Sequence, residues 1–91
     1  RLGQYQKAIN DYTMAIQLEP TAQRYTERAY AYGLLDQHQN AMNDYTMAIQ
    51  LEPSGLRYNN RAWAYYYLGD YTNQQADDAA ACSLDSQYCS D

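Results

Sequence analysis

The ten residues DYTMAIQLEP occur twice, from Asp11 to Pro20 and again from Asp44 to Pro53, 33 positions apart in a chain of 91 residues. Chance does not repeat a decapeptide in so short a chain. The same offset carries Tyr25, Arg28, Ala29, Ala31 and Tyr32 onto Tyr58, Arg61, Ala62, Ala64 and Tyr65, and takes Asp11 through Asp44 to Asp77. A period of roughly 20 to 50 residues marks a supersecondary unit that cannot bury its apolar face alone and stacks on copies of itself.

Inside each unit the spacing is helical. Ala8, Ile9, Tyr12, Ala15 and Ile16 recur at intervals of three and four, as do Tyr58, Arg61, Ala62 and Tyr65; strands would alternate. Gly3-Gln4, Asp36-Gln37 and Gly69-Asp70 separate two helices per unit, Pro20 and Pro53 close the units, and Thr21 and Ser54 are candidate N-caps. The expectation is an all-α chain of five helices over residues 4–18, 22–34, 37–51, 55–68 and 71–84. The alanines at 8, 15, 41 and 48 fall where two backbones must approach closely.

In the order Tyr25, Arg28-Ala29, Tyr32, Ala41, Tyr45, Pro53, each unit resembles a tetratricopeptide repeat. The run Asn59-Asn60-Arg61-Ala62, with Ala64-Tyr65 and Leu68-Gly69-Asp70-Tyr71, is similar to a bacterial-style variant of that family. The resemblance implies a right-handed superhelical stack of antiparallel helix pairs. Residues 1–20 would be the second helix of a truncated repeat, 21–53 a full repeat, 54–85 a last, capping repeat and 86–91 a tail. Two departures stand out. The period is 33 where the family usually has 34, and Gln74 and Asp78 replace the small and aromatic residues that would receive a following repeat. Arg1 to Gly3 correspond to the end of a first helix whose body is absent. The face of the next helix near Tyr5, Ile9 and Tyr12 is then expected to be uncovered and to favour self-association.

Arg28 and Arg61 share a stripe with core tyrosines, where an unpaired charge is costly. Each is followed 16 positions later by an aspartate, Asp44 and Asp77. Partly buried Arg–carboxylate pairs that fix the hairpin register are the expectation, with a further reach to the preceding unit's aspartate conceivable.

A second stripe needs another reason. Asn59, Trp63, Tyr66 and Tyr67 lie away from Tyr58, Ala62 and Tyr65. In the family that this chain resembles, the first helices line the concave surface, so Tyr30, Glu27, Asn59, Asn60, Trp63, Tyr66 and Tyr67 are the candidate partner-binding residues. Asn can hold a peptide backbone, and Trp and Tyr accept apolar side chains at low entropic cost. The blander alternative packs Tyr30 and Tyr66 between neighbouring helices. Some relatives grip a terminal carboxylate with Lys, Arg and Asn; this chain keeps Asn60 at one such position and lacks the basic members.

Composition narrows the partner. Six basic against eleven acidic residues give a net charge of −5, and Lys7 is the sole lysine. Such a surface repels a phosphate backbone and suits a basic or neutral ligand. No apolar run approaches the roughly 20 residues that cross a bilayer, so neither nucleic acid nor membrane is an expected partner. The twelve tyrosines supply nearly all the aromatic mass, and tyrosine serves both cores and interfaces.

No constellation of catalytic residues emerges, and no metal or cofactor is expected. His38, the single histidine, occupies the repeat position of Tyr5 and Tyr71 and is read as filler at the core edge. Cys82 and Cys89 would sit about 10 Å apart on a continuous helix, out of bonding range. Two ordinary thiols are the default; a break at Leu84 to Ser86 would permit a disulfide. The function expected is a protein-interaction module that takes a peptide or partner protein. The alternative is an architectural module for homo-oligomerisation or domain linkage.

Overall fold

The computed structural model describes residues 2–90. Among them five α-helices follow in order: α1 (Leu2–Leu18), α2 (Ala22–Leu34), α3 (His38–Leu51), α4 (Gly55–Tyr67) and α5 (Tyr71–Leu84), then a short 3₁₀ turn at Ser86–Tyr88. Consecutive helices pack on one another, most extensively within the hairpins α2/α3 and α4/α5. The fold is an all-α stack of helical hairpins.

Local chemistry sets the boundaries. The Thr21 hydroxyl accepts from the backbone N–H of Arg24, and Ser54 does the same for Arg57, which satisfies donors that a helix start leaves orphaned. Arg24 donates to the Ala15 and Glu19 carbonyls at the end of α1. One period later Arg57 donates to the Glu52 carbonyl after α3. Each first helix thus carries a cation against the negative end of the second helix before it.

The hairpin turns use the left-handed region. Asp36 has φ 60° and Gly69, its counterpart one period later, φ 78°. In both turns the following N–H groups reach back to the helix just ended: Gln37 donates to Tyr32 and Asp70 to Tyr65, at 2.9 and 3.0 Å. Gly69→Ala is therefore expected to lower stability by about 1 kcal/mol, and Asp36→Gly to raise it by up to about 1 kcal/mol. Urea midpoints check both, and equal signs would refute the turn argument.

The N-terminus departs from expectation. The Gly3-Gln4 pair forms no turn, because α1 runs from Leu2 straight through it. The expectation for Arg1 lies outside the described residues. The face expected to be uncovered is also partly covered, since Ile9 is only 4 % exposed and Tyr5 and Tyr12 are half-buried.

The central cluster of the core is assembled from small residues and one large one. Ala29, Ala41, Tyr45 and Ala64 form its centre, with Tyr32 and Met42 against it. Ala29 and Ala48 have no exposed surface, so the helices meet almost backbone to backbone at those points.

Beside that core lie two ion pairs. Arg28 donates through Nε and Nη2 to the two Asp44 oxygens at 2.7 and 2.8 Å. Arg61 grips Asp77 with the same two distances. The third nitrogen reaches the preceding unit's threonine, Thr13 or Thr46, at 3.0 and 3.2 Å, rather than its aspartate. The threonine sits two residues beyond that aspartate, about 200° round the helix and facing the arginine. Each guanidinium also lies between two tyrosine rings, Tyr25 and Tyr32 or Tyr58 and Tyr65, 5.6 to 5.8 Å from their centroids. Hydrogen bonding to the aspartate is the main cause raising the proton affinity of both arginines.

The cysteines correct the default reading, because Cys82 and Cys89 are joined in a disulfide with Cα atoms 4.5 Å apart. The helix stops at Leu84, where Asp85 turns extended (φ −153°, ψ 113°) and its side chain accepts from the backbone N–H of Gln87. That aspartate caps a 3₁₀ turn which brings Cys89 back over the last turn of α5.

Candidate functional site

α2 and α4 stand as two walls over α3 and flank a cleft of about 430 Å³. Tyr30 and Leu34 come from the α2 wall, Asn60, Trp63 and Tyr67 from the α4 wall, and Ala41 and Tyr45 from the floor; Asp36 and His38 close one end. The walls keep their aromatic surface. Tyr30 is 63 %, Trp63 56 % and Tyr67 59 % exposed, so these rings are available to a ligand rather than consumed by packing.

The rings brace one another. Trp63 and Tyr67 stack with centroids 6.2 Å apart, and Tyr67 lies parallel to the His38 imidazole at 4.6 Å. Tyr66 meets both Trp63 and Tyr67 edge-on at 6.0 and 5.3 Å. Such contacts fix side-chain angles before any ligand arrives. His38 is thus more than filler: its Nε2 lies 3.5 Å from the Asp36 carboxylate, and its ring forms part of the cleft. The floor is uncharged, since burial, then Tyr30 and Asp44, push the Tyr45 phenol up to about 12.

A second cleft of about 340 Å³ opens between α1 and α2. Tyr5, Ala8 and Tyr12 line it from α1; Thr26, Glu27, Tyr30, Ala31 and Leu34 from α2; Tyr45 and Asn60 lie at its far side. Glu27 accepts from Gln23 at 2.8 Å. Hydrogen bonding by the Tyr12 phenol, then by Gln23, holds its carboxyl below the usual range, and the same contact with Glu27 is the first cause raising the Tyr12 phenol. Glu27 is therefore a carboxylate at neutral pH.

Of the seven candidate residues, the clefts bring together Tyr30, Glu27, Asn60, Trp63 and Tyr67, with Tyr30 and Asn60 shared by both. Asn59 and Tyr66 line neither. They lie seven residues apart on one stripe of α4, turned about 100° from Asn60 and Tyr67. Tyr66 is 46 % exposed and faces Tyr71 at 6.0 Å, so it is not packed between helices, and neither is Tyr30. Sequence reasoning overlooked the floor and the end of the cleft: Ala41, Tyr45, His38 and Asp36. The 33-residue offset from Tyr5, Ala8 and Tyr12 to His38, Ala41 and Tyr45 was the available signal.

Electrostatics favour one sign of ligand. Among the described residues the four arginines all face groups of the chain itself, at Glu19, Asp44, Glu52 and Asp77. Carboxylates remain at both clefts. No group of three or more His, Cys, Asp or Glu residues with metal-binding geometry occurs among the described residues, and no helix is long and apolar enough to cross a membrane.

A chain of stacked helical hairpins with a solvent-open aromatic cleft between first helices belongs to the α-solenoid class. Within it, residues 22–54, which contain α2 and α3, match the family model described as tetratricopeptide repeat. Repeats of this family generally mediate protein–protein interactions and are non-catalytic interaction modules. No curated protein matches the chain.

Proposed function

We propose that the chain binds an extended segment of a partner protein in the cleft between α2 and α4. The supporting observation is the set of three aromatic residues, Tyr30, Trp63 and Tyr67, which line a 430 Å³ cleft and each keep more than half of their surface. Rigid aromatic walls bury large apolar area without freezing many torsions. Asn60 offers an amide to a peptide backbone, which would leave side chains to the rings.

Trp63→Ala is expected to weaken capture of the partner by tenfold or more and to leave far-UV helicity unchanged, since the indole is largely exposed and supports no buried core. Affinity purification with the wild-type chain and the variant, followed by titration of the captured protein, measures this. Equal capture by both would refute the assignment of the cleft.

A second reading, homo-oligomerisation, is supported at α1, where Leu2, Met14 and Leu18 are 70 %, 65 % and 86 % exposed. It calls for a mass that rises with concentration in light scattering, and a constant monomer would exclude it.

A further inference from the structure

The two clefts are copies of one another. Seven positions lining the α1/α2 cleft, shifted by 33, land on residues lining the α2/α4 cleft, among them Tyr5 on His38, Tyr12 on Tyr45 and Tyr30 on Trp63. Each copy joins an apolar floor to aromatic faces and one carboxylate. The carboxylate changes place between copies: Glu27 supplies it in the first, its counterpart in the second is Asn60, and there Asp36 supplies it from the hairpin turn. Among the described residues, neither cleft is lined by lysine or arginine.

Resting on the peptide-binding reading above, we propose that the two clefts are successive subsites for basic side chains of one extended peptide. The methylene stem of a lysine or arginine lies along the alanines and rings, as such stems do on apolar surfaces. The charged head meets aromatic faces and a carboxylate, both of which attract a cation. Among the described residues the four arginines are taken up in internal pairs, and the net charge is −5. His38 is, among the described residues, the one basic group at a cleft, held on Tyr67 and beside Asp36. The repeat also sets a spacing. Matching points of the two clefts lie one whole repeat, two helices, apart, which is no less than the roughly 8–10 Å between packed helices. An extended chain advances about 3.3 Å per residue, so matching residues of the ligand stand at least about three positions apart.

Trp63, the single tryptophan, lines the second cleft and reports binding by its fluorescence. The probe is a nine-residue neutral-spacer peptide with lysines at i and i+3. It is compared with the same peptide acetylated on both lysines, and with one whose lysines are adjacent. The free dilysine peptide is expected to bind at least tenfold more tightly than the acetylated one. Glu27→Gln and Asp36→Asn are each expected to weaken it by about three- to tenfold with helicity intact. Equal affinity for the acetylated peptide overturns the proposal, and equal affinity for adjacent lysines overturns the pairing of the clefts. Should only uncharged apolar peptides bind, cation recognition falls while the peptide-binding reading stands. Should no peptide bind and Trp63→Ala leave partner capture unchanged, both fall.

Discussion

Arg28→Met is expected to remove about 3–5 kcal/mol of stability while leaving the helical hairpins recognisable. Asp44 is the reason. Its side chain is 7 % exposed and its two oxygens accept from Arg28 Nε and Nη2. Methionine fills much of the same volume and donates nothing, so a buried carboxylate is left uncompensated, and breaking a buried pair from one side costs this much. The Thr13 hydroxyl loses a donor as well, and the rings of Tyr25 and Tyr32 lose the cation between them. Against a total of roughly 5–15 kcal/mol for a domain of this size, the loss should lower the thermal midpoint by more than about 12 °C.

The companion variant isolates the cause. Arg28→Met combined with Asp44→Leu removes both charges and is expected to recover most of the lost stability, because a pair replaced by apolar residues of similar volume is often neutral. Circular dichroism melts of the three proteins decide the matter. An unchanged melt of Arg28→Met would deny the pair any part in stability. A double variant as weak as the single one would show that the loss lies elsewhere, in the tyrosine contacts or the packing of the arginine stem.

The same pair illustrates what a repeated sequence discloses. Both members recur together after 33 residues, and the 16-residue separation places them on facing helices, so the contact follows from the period alone. The helices were legible for a related reason: proline, N-cap hydroxyl and left-handed turn residue recur at fixed places and act locally. The α2/α4 cleft was legible only in part. Its walls were reached through the first-helix positions, but assigning Asn59 and Tyr66 to it needed the rotation of α4 about its axis, which tertiary packing sets. The floor residues Ala41 and Tyr45 already had a core role, and that concealed their second surface. At Gly3 the local signal misled, since α1 continues through it from Leu2.

The disulfide was legible only as the alternative to two free thiols, because it depends on a single residue leaving the helix. Asp85 does so by capping the turn at Ser86–Tyr88, and the resulting clip lies on the start of α4. A Cβ added to Gly55 would stand 2.7 Å from Asp85 Cβ and 3.2 Å from the Ala81 carbonyl oxygen. Both obstacles are backbone or tied to it, so neither swings aside, and only glycine admits the close approach. Replacing both cysteines with serine releases a ring closed across seven residues of separation, and the chain-entropy relation assigns that closure about 2–3 kcal/mol. Gly55→Ala in the oxidised protein should cost about 1–3 kcal/mol by overpacking. Once the ring is open, the segment after Leu84 can move off α4, and the same alanine should cost much less. Urea unfolding of the wild type, the alanine variant, the double-serine variant and their combination forms a cycle whose expected result is non-additivity of at least about 0.5 kcal/mol. Strict additivity would mean that the clip and the start of α4 are energetically independent despite their contact.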